Sequence, residues 1–180
     1  NIVNVGANGG ATVQIILDGN SRMRFAENLD SIDGGQGLLV NENSSITISG
    51  TSELHVGDSL HVIDGGNLVN IIDNATVTVN VGAKFLVAQS SNIEVPNTTQ
   101  IMNFAGGSLL INGGEVSVAQ NLPIDTSDAG KPKDINAVDL DNGTITVQSG
   151  GTLNIGGSNV GDLNMNGNNT ELNLIDGTVN

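Results

Sequence analysis

Cysteine, tryptophan and tyrosine are missing from this 180-residue chain, and phenylalanine occurs three times. Without cysteine there is no disulfide framework. Without large aromatic side chains, Val, Ile and Leu must fill the core, and these residues suit strands. Bases are scarce too: five Lys and Arg stand against 19 Asp and Glu, a formal net charge of −14. Nucleic acid and anionic membrane are therefore poor partners. No stretch is apolar enough to span a bilayer, and no apolar run follows helical spacing. The first residue is not Met and no signal peptide is visible, so the chain reads as a segment processed or excised from something longer.

Glycine and asparagine are abundant, asparagine slightly outnumbering the 25 glycines. Both tolerate positive φ and supply turns. Short alternating phrases lie between the turns. "NGTITVQSGGTLNI" (142–155) repeats the pattern of "NATVTVNVGAKFLV" (74–87). Taking the first residue of each such phrase as a marker gives Thr12, Ser45, Thr76, Ser108, Thr144 and Thr178, at intervals of 33, 31, 32, 36 and 34 residues. Two positions before the markers stand Gly10, Asn43, Asn74, Gly106, Asn142 and Asp176. These are the residue types that enter the left-handed region most readily. One and three positions after the markers the side chains are aliphatic: Val13 and Ile15, Ile46 and Ile48, Val77 and Val79, Leu109 and Ile111, Ile145 and Val147. Alternation sends that set inward and its neighbours outward.

A long fixed period with short strands predicts an all-β fold, a right-handed parallel β-helix (β-solenoid) of about five coils of roughly 32 residues, with three or four short strands each. The ten aliphatic residues named above form its predicted core, and Asn43, Asn74 and Asn142 its predicted corner turns. An antiparallel sandwich also has short strands, but it does not require like residues at a long period. The whole of 1–180 reads as one solenoid segment of a longer array. "NLPIDTSDAGKPKD" (121–134) breaks the pattern as an inserted loop, with Asp125, Asp128, Lys131 and Lys133 as candidate contacts for a partner.

"GGTLNIGG", "NGTITVQSGG" and "NATVTVNVGAKFLV" resemble the repeats of bacterial β-helical surface proteins, the autotransporter passengers and large secreted adhesins. The resemblance covers nearly the whole chain outside 121–134. It implies an extracellular or cell-surface rod: an adhesin stalk or a fibre-forming segment that holds or displays binding loops. Its implied partners are further coils of the same polypeptide, copies of itself, and cell-surface glycans.

Candidate chemistry is sparse, and no enzyme is expected. Polysaccharide-binding or polysaccharide-cleaving β-helices are the alternative, since Arg22 and Arg24 share one face of "RMRF" with Asp18 and Glu27 close by. His55 and His61 are each flanked by inward aliphatics and point outward; with Asp58 they could bind a transition metal, but a turn at Gly57 puts them on different walls, and they read as two unlinked, solvated surface histidines. Asp139, Asp141 and Asn142, like Asp30 and Asp33, offer oxygen atoms at turns, but neither group matches an EF-hand loop or the nonapeptide calcium repeat. No cofactor is indicated, with calcium at a corner the alternative. An outward series of Thr12, Ser45, Thr76, Ser108 and Thr144, with Thr47, Thr78 and Thr146 beside it, suggests a third reading, an ice-binding face. Gln14 and Leu110 interrupt it.

Overall fold

The computed structural model describes residues 3–6, 12–27, 31–33, 36–58, 62–64, 67–89, 99–120, 135–156 and 162–180. It is a right-handed parallel β-helix of about six laps. No helix occurs among the described residues.

The first lap holds β1 (Val3–Val5), β2 (Gln14–Leu17), β3 (Arg22–Phe25) and β4 (Ser31–Asp33). The second holds β5 (Gln36–Val40), β6 (Ser45–Ile48), β7 (Glu53–Val56) and β8 (Val62–Asp64). In the third are β9 (Asn67–Ile72), β10 (Thr76–Asn80) and β11 (Lys84–Val87), and in the fourth β12 (Thr99–Ala105), β13 (Ser108–Asn112) and β14 (Glu115–Val118). The fifth has β15 (Ile135–Asp141), β16 (Thr144–Gln148) and β17 (Thr152–Ile155), and the sixth β18 (Asp162–Asn166), β19 (Glu171–Ile175) and β20 (Thr178–Val179). Each lap gives one strand to each of three walls: β1, β5, β9, β12, β15 and β18 form the first, the β2 series the second and the β3 series the third. All these pairings are parallel. With strands about 4.8 Å apart, the stack is about 25 Å long.

Like residues recur because each lap lies directly on its neighbour. Val77 pairs with Ile46 on one side and Leu109 on the other. Phe85 sits between Leu54 and Val116, and Phe104 between Ile71 and Leu140. All nine are buried, in one continuous apolar cluster. A lap has no second layer of its own, so burial of its inner face depends on the laps above and below.

Three corners turn the chain, each by left-handed backbone. Between the first and second walls stand Asn43, Asn74, Gly106 and Asn142, with φ of 60°, 62°, 79° and 53°. Between the second and third walls the column is glycine through the first five laps, Gly19, Gly50, Gly82, Gly113 and Gly150, with φ from 67° to 78°, and Asp176 in the sixth, with φ of 56°. A β-carbon on Gly50 would lie 2.5 Å from the Gly19 carbonyl oxygen, so no side chain fits at that lap. After the third wall the column is Ala26, Gly57, Ala88, Ala119 and Gly156, again at positive φ. Its amides extend the wall: Ala88 N–H donates to the Val56 carbonyl (2.9 Å) and Ala119 N–H to that of Val87 (2.9 Å).

Several expectations need correction. The laps number about six against the expected five or so, and the three main walls fall within the expected three or four strands per lap. A fourth strand appears as a two-stranded ladder, β4 with β8; "NIEV" (92–95) lies outside the described residues. In the first lap Gln14, not Thr12, pairs with Ser45, and Ile15 and Leu17 take the inner positions beside Ile46 and Ile48. Val13 is 38 % exposed and outside the core. A two-residue slip keeps every side chain on its own face, so alternation does not reveal it. The other nine predicted core residues lie inside: Ile15 is half-buried against the cluster and the remaining eight are fully buried. Thr178 is likewise not a sixth marker. It pairs with Thr152 in the third wall, while Glu171 pairs with Thr144, 27 residues on, because the return segment 156–161 is short. Asp176 therefore sits over the glycine corner, accepting from Gly150 N–H. Gly10, His61, Asp30 and the whole of 121–134, including Asp125, Asp128, Lys131 and Lys133, lie outside the described residues.

Two stability predictions follow from this packing. Val77→Asp should cost several kcal/mol, roughly 3–5, by placing an unpaired charge in the central column, whereas Val13→Asp should cost well under about 1 kcal/mol, as surface changes do; urea melts of the two variants check this. Gly150→Ala, with nothing within 4 Å of its new β-carbon, should lose only the left-handed penalty of about 1–2 kcal/mol. Gly50→Ala should lose clearly more in the same assay, since the Gly19 carbonyl blocks it.

Candidate functional site

Every lap presents its outward residues at the same places, so each wall carries columns of like chemistry. On the second wall the first outward column is Gln14, Ser45, Thr76, Ser108, Thr144 and Glu171. Beside it run Ile16, Thr47, Thr78, Leu110, Thr146 and Asn173. The hydroxyl face is therefore confined to the middle laps, with Ile16 projecting at one end and Glu171 and Asn173 at the other. A third column is tied lap to lap by side-chain amides. Asn80 Nδ2 donates to Ser49 Oγ (2.9 Å), Asn112 Nδ2 to Asn80 Oδ1 (3.2 Å) and Gln148 Nε2 to Asn112 Oδ1 (3.3 Å). Shorter ladders brace the other walls. Asn103 Nδ2 donates to Asn70 Oδ1 (2.9 Å) on the first, and Asn154 Nδ2 to Ser117 Oγ (3.0 Å) on the third.

The proposed corner residues divide by role. Asn43 and Asn74 are exposed and contribute their backbone conformation. Asn142 adds its side chain: Oδ1 accepts from the amides of Asn168 (3.1 Å) and Asn169 (3.4 Å), and Nδ2 donates to Asp141 Oδ1 (2.8 Å). Asp139 is buried and accepts from the side-chain amides of Gln100 and Asn166. The oxygens of Asp139, Asp141 and Asn142 considered for calcium thus accept from in-chain donors, while Asp30 and the Asp33 side chain lie outside the described residues. Among the described residues no three His, Asp or Glu side chains converge as a metal site.

Charge is concentrated on the third wall. Arg22 and Arg24 both project from β3, as the spacing of "RMRF" predicts, while Met23 and Phe25 pack on the core. Arg22 pairs across laps with Glu53 (2.6 Å), and Arg24 with Glu27 (2.7 Å). Asp18 is not part of this group; its carboxylate accepts from the adjacent Gly19 amide. His55 faces outward yet is only 7 % exposed, which corrects its reading as a solvated side chain. Nε2 contacts Glu53 (2.9 Å) and Nδ1 contacts Asp58. The two carboxylates lie at opposite edges of the ring, so they bracket it instead of sharing a point with it. Both contacts are hydrogen bonds at once only when the ring carries both protons. The bond from His55 holds the Glu53 carboxyl below the usual glutamate range, and Arg22 adds to this against an opposing effect of burial.

Two shallow hollows lie along the corner between the second and third walls. Asn20, Ser21, Arg22, Thr51 and Glu53 line one; Lys84, Glu115 and Thr152 line the other, with Gly82, Gly113 and Gly150 at the turn. The second exists because the glycine column has no side chains there. No protein-family model, curated protein or solved structure matches the chain.

Sequence reasoning placed the two arginines on one face and Glu27 beside them, where it pairs with Arg24, but missed Glu53, the partner of Arg22 on the neighbouring lap. The missing signal was the register: Arg22 stands 31 residues before Glu53. Because the folded pKa of Glu53 is depressed, its pairing stabilises the fold above the ordinary glutamate pKa, and this is lost as pH falls through the folded value. The parent should therefore melt above Glu53→Gln at neutral pH, and the gap should close on acidification; a gap unchanged down to pH ~3 would contradict this pairing.

Proposed function

We propose that this chain is a structural segment of an extracellular bacterial rod, an adhesin stalk or a fibre-forming surface protein. The supporting observation is mechanical. Three walls join every lap to the next in register, and side-chain ladders repeat the connection on the outside. Load applied along the rod is shared by parallel hydrogen bonds at three points of each lap. A scaffold of this kind sets distance and displays what is carried on its return segments. These are also its most variable parts, running from 156–161 to 119–134 between flanking strands. In this reading the longest one contacts a partner such as a cell-surface glycan.

Further laps, of the same polypeptide or of another copy, are the proposed axial partners. β18, β19 and β20 each have a neighbour on one side only. Met165 and Leu174 continue inner columns yet are 45 % and 56 % exposed. Another lap laid on them would bury both and pair the open edges. Electron microscopy at rising concentration should show rods that lengthen end to end, with lengthening abolished by Leu174→Asp. Particles of constant length at millimolar concentration would overturn self-assembly, and turnover of a polysaccharide by the purified chain would overturn the structural reading itself.

A further inference from the structure

The first outward column of the third wall has a symmetry that the other faces lack. It reads Arg22, Glu53, Lys84 and Glu115 on successive laps, followed by Thr152. The signs alternate. Within the chain the charges pair by twos, Arg22 with Glu53 and Lys84 with Glu115 (2.9 Å). No ion pair joins Glu53 to Lys84 among the described residues, although the two are register neighbours.

A second copy turned end for end, about a two-fold axis passing between the laps of Glu53 and Lys84, would set Arg22 opposite Glu115 and Glu53 opposite Lys84. Symmetry makes each contact twice, so four facing pairs attract. A parallel copy in register opposes like with like. A parallel copy staggered by one lap leaves three attracting pairs. The antiparallel arrangement is the one the column complements best.

The rest of the wall agrees. Its next outward column runs Arg24, His55, Leu86, Ser117 and Asn154. The same axis sets His55 opposite Leu86 and Arg24 opposite Ser117, with no like charges facing. Glu27 and Asp58 are engaged within the chain by Arg24 and His55. Arg22, Arg24 and Lys84 are the described cations of a chain with net charge −14, and all three project here. The other described faces carry no cation that could draw in a second copy of so acidic a chain. Arg22 and Lys84 each border a hollow and their side chains are about half exposed, open to an approaching surface.

We infer that the third wall is an interface for a second copy of this chain, packed side by side and antiparallel. This pairing is independent of end-to-end growth. The wall is narrow and offers less than the ~800 Å² per partner of a standard interface. Association is therefore weak and salt-sensitive.

Sedimentation velocity at up to millimolar concentration tests the inference, in a Leu174→Asp background so that axial stacking does not contribute. The chain should form dimers that dissociate toward about 0.5 M salt, as screening shortens. Glu53→Lys or Lys84→Glu alone sets like charges face to face twice and should weaken pairing about ten-fold or more. The double exchange, Glu53→Lys with Lys84→Glu, gives the order plus, plus, minus, minus. An antiparallel mate again meets opposite charge at all four places, so dimers should return. A staggered parallel mate would meet like charge twice, and the intramolecular ladder is made worse. Circular dichroism confirms that each variant is folded. A monomeric chain at every concentration, or a double exchange no tighter than the single ones, overturns the inference.

Discussion

Left-handed backbone at fixed places in every lap is the constraint on which this structure depends. A strand that leaves a wall must turn within two or three residues and enter the next wall at the height of its own lap. Asn43, Asn74, Gly106 and Asn142 do this at one corner and the Gly19 to Gly150 column at the next. Residues that resist positive φ would delay the turn and shift the following strand out of register. Register in turn decides which side chains are stacked. Val77 lies between Ile46 and Leu109 because Asn43 and Asn74 turn at the same place.

Once the laps are superimposed, chemistry at one position becomes chemistry along a line. Aliphatic positions become the core, and the shortage of aromatic residues does no harm because branched aliphatics fill a narrow interior. Two phenylalanines, Phe85 and Phe104, supply extra bulk in the middle laps, where neighbours cover them on both sides. Outward amides become ladders, which satisfy side chains that would otherwise compete with the backbone. Alternating charges become the Arg22 to Glu115 column. A globular fold would scatter the same residues.

Much of this was legible in the sequence, and the parts that were not share a cause. The second wall was readable because strict alternation and the Asn or Gly turn residue mark it together, as at Asn74 and Val77. Its first strand was misplaced by two residues, since Val13 and Ile15 have the same parity. The first wall was harder because alternation fails there. Leu68 and Val69 are both buried, as are Ile101 and Met102; Leu68 lies where a β-carbon on Gly57 would be, within 2.7 Å. At the third corner Ala26, Ala88 and Ala119 occupy positive φ, and alanine announces no turn. Its small size permits close packing of the corner, while the wall's hydrogen bonds hold it in a conformation it would not choose alone. The short sixth lap was hidden for a different reason: a fixed period was assumed, and the return segments vary. At the charged cluster the residue types were visible, but the pairing of Arg22 with Glu53 and the burial of His55 depend on which lap covers which.

The same geometry explains how a chain this acidic can remain a tightly wound stack. Lap spacing brings outward positions within about 5 Å, so like charges at one position would repel at every step. On two walls the chain avoids that: the second carries mainly hydroxyls and amides, and the third alternates its signs. Of the other described acids, Asp18 and Asp73 fall at turns and Asp139 is held by the side-chain amides of Gln100 and Asn166, while Asp33 and Asp64 stand at paired positions of the short fourth ladder. Acid on these two walls is thereby kept from stacking on successive laps and adds little that opposes the winding. What faces outward is polar on the second wall and alternating in sign on the third, so among the described residues charge attraction toward a neighbour is confined to the third wall.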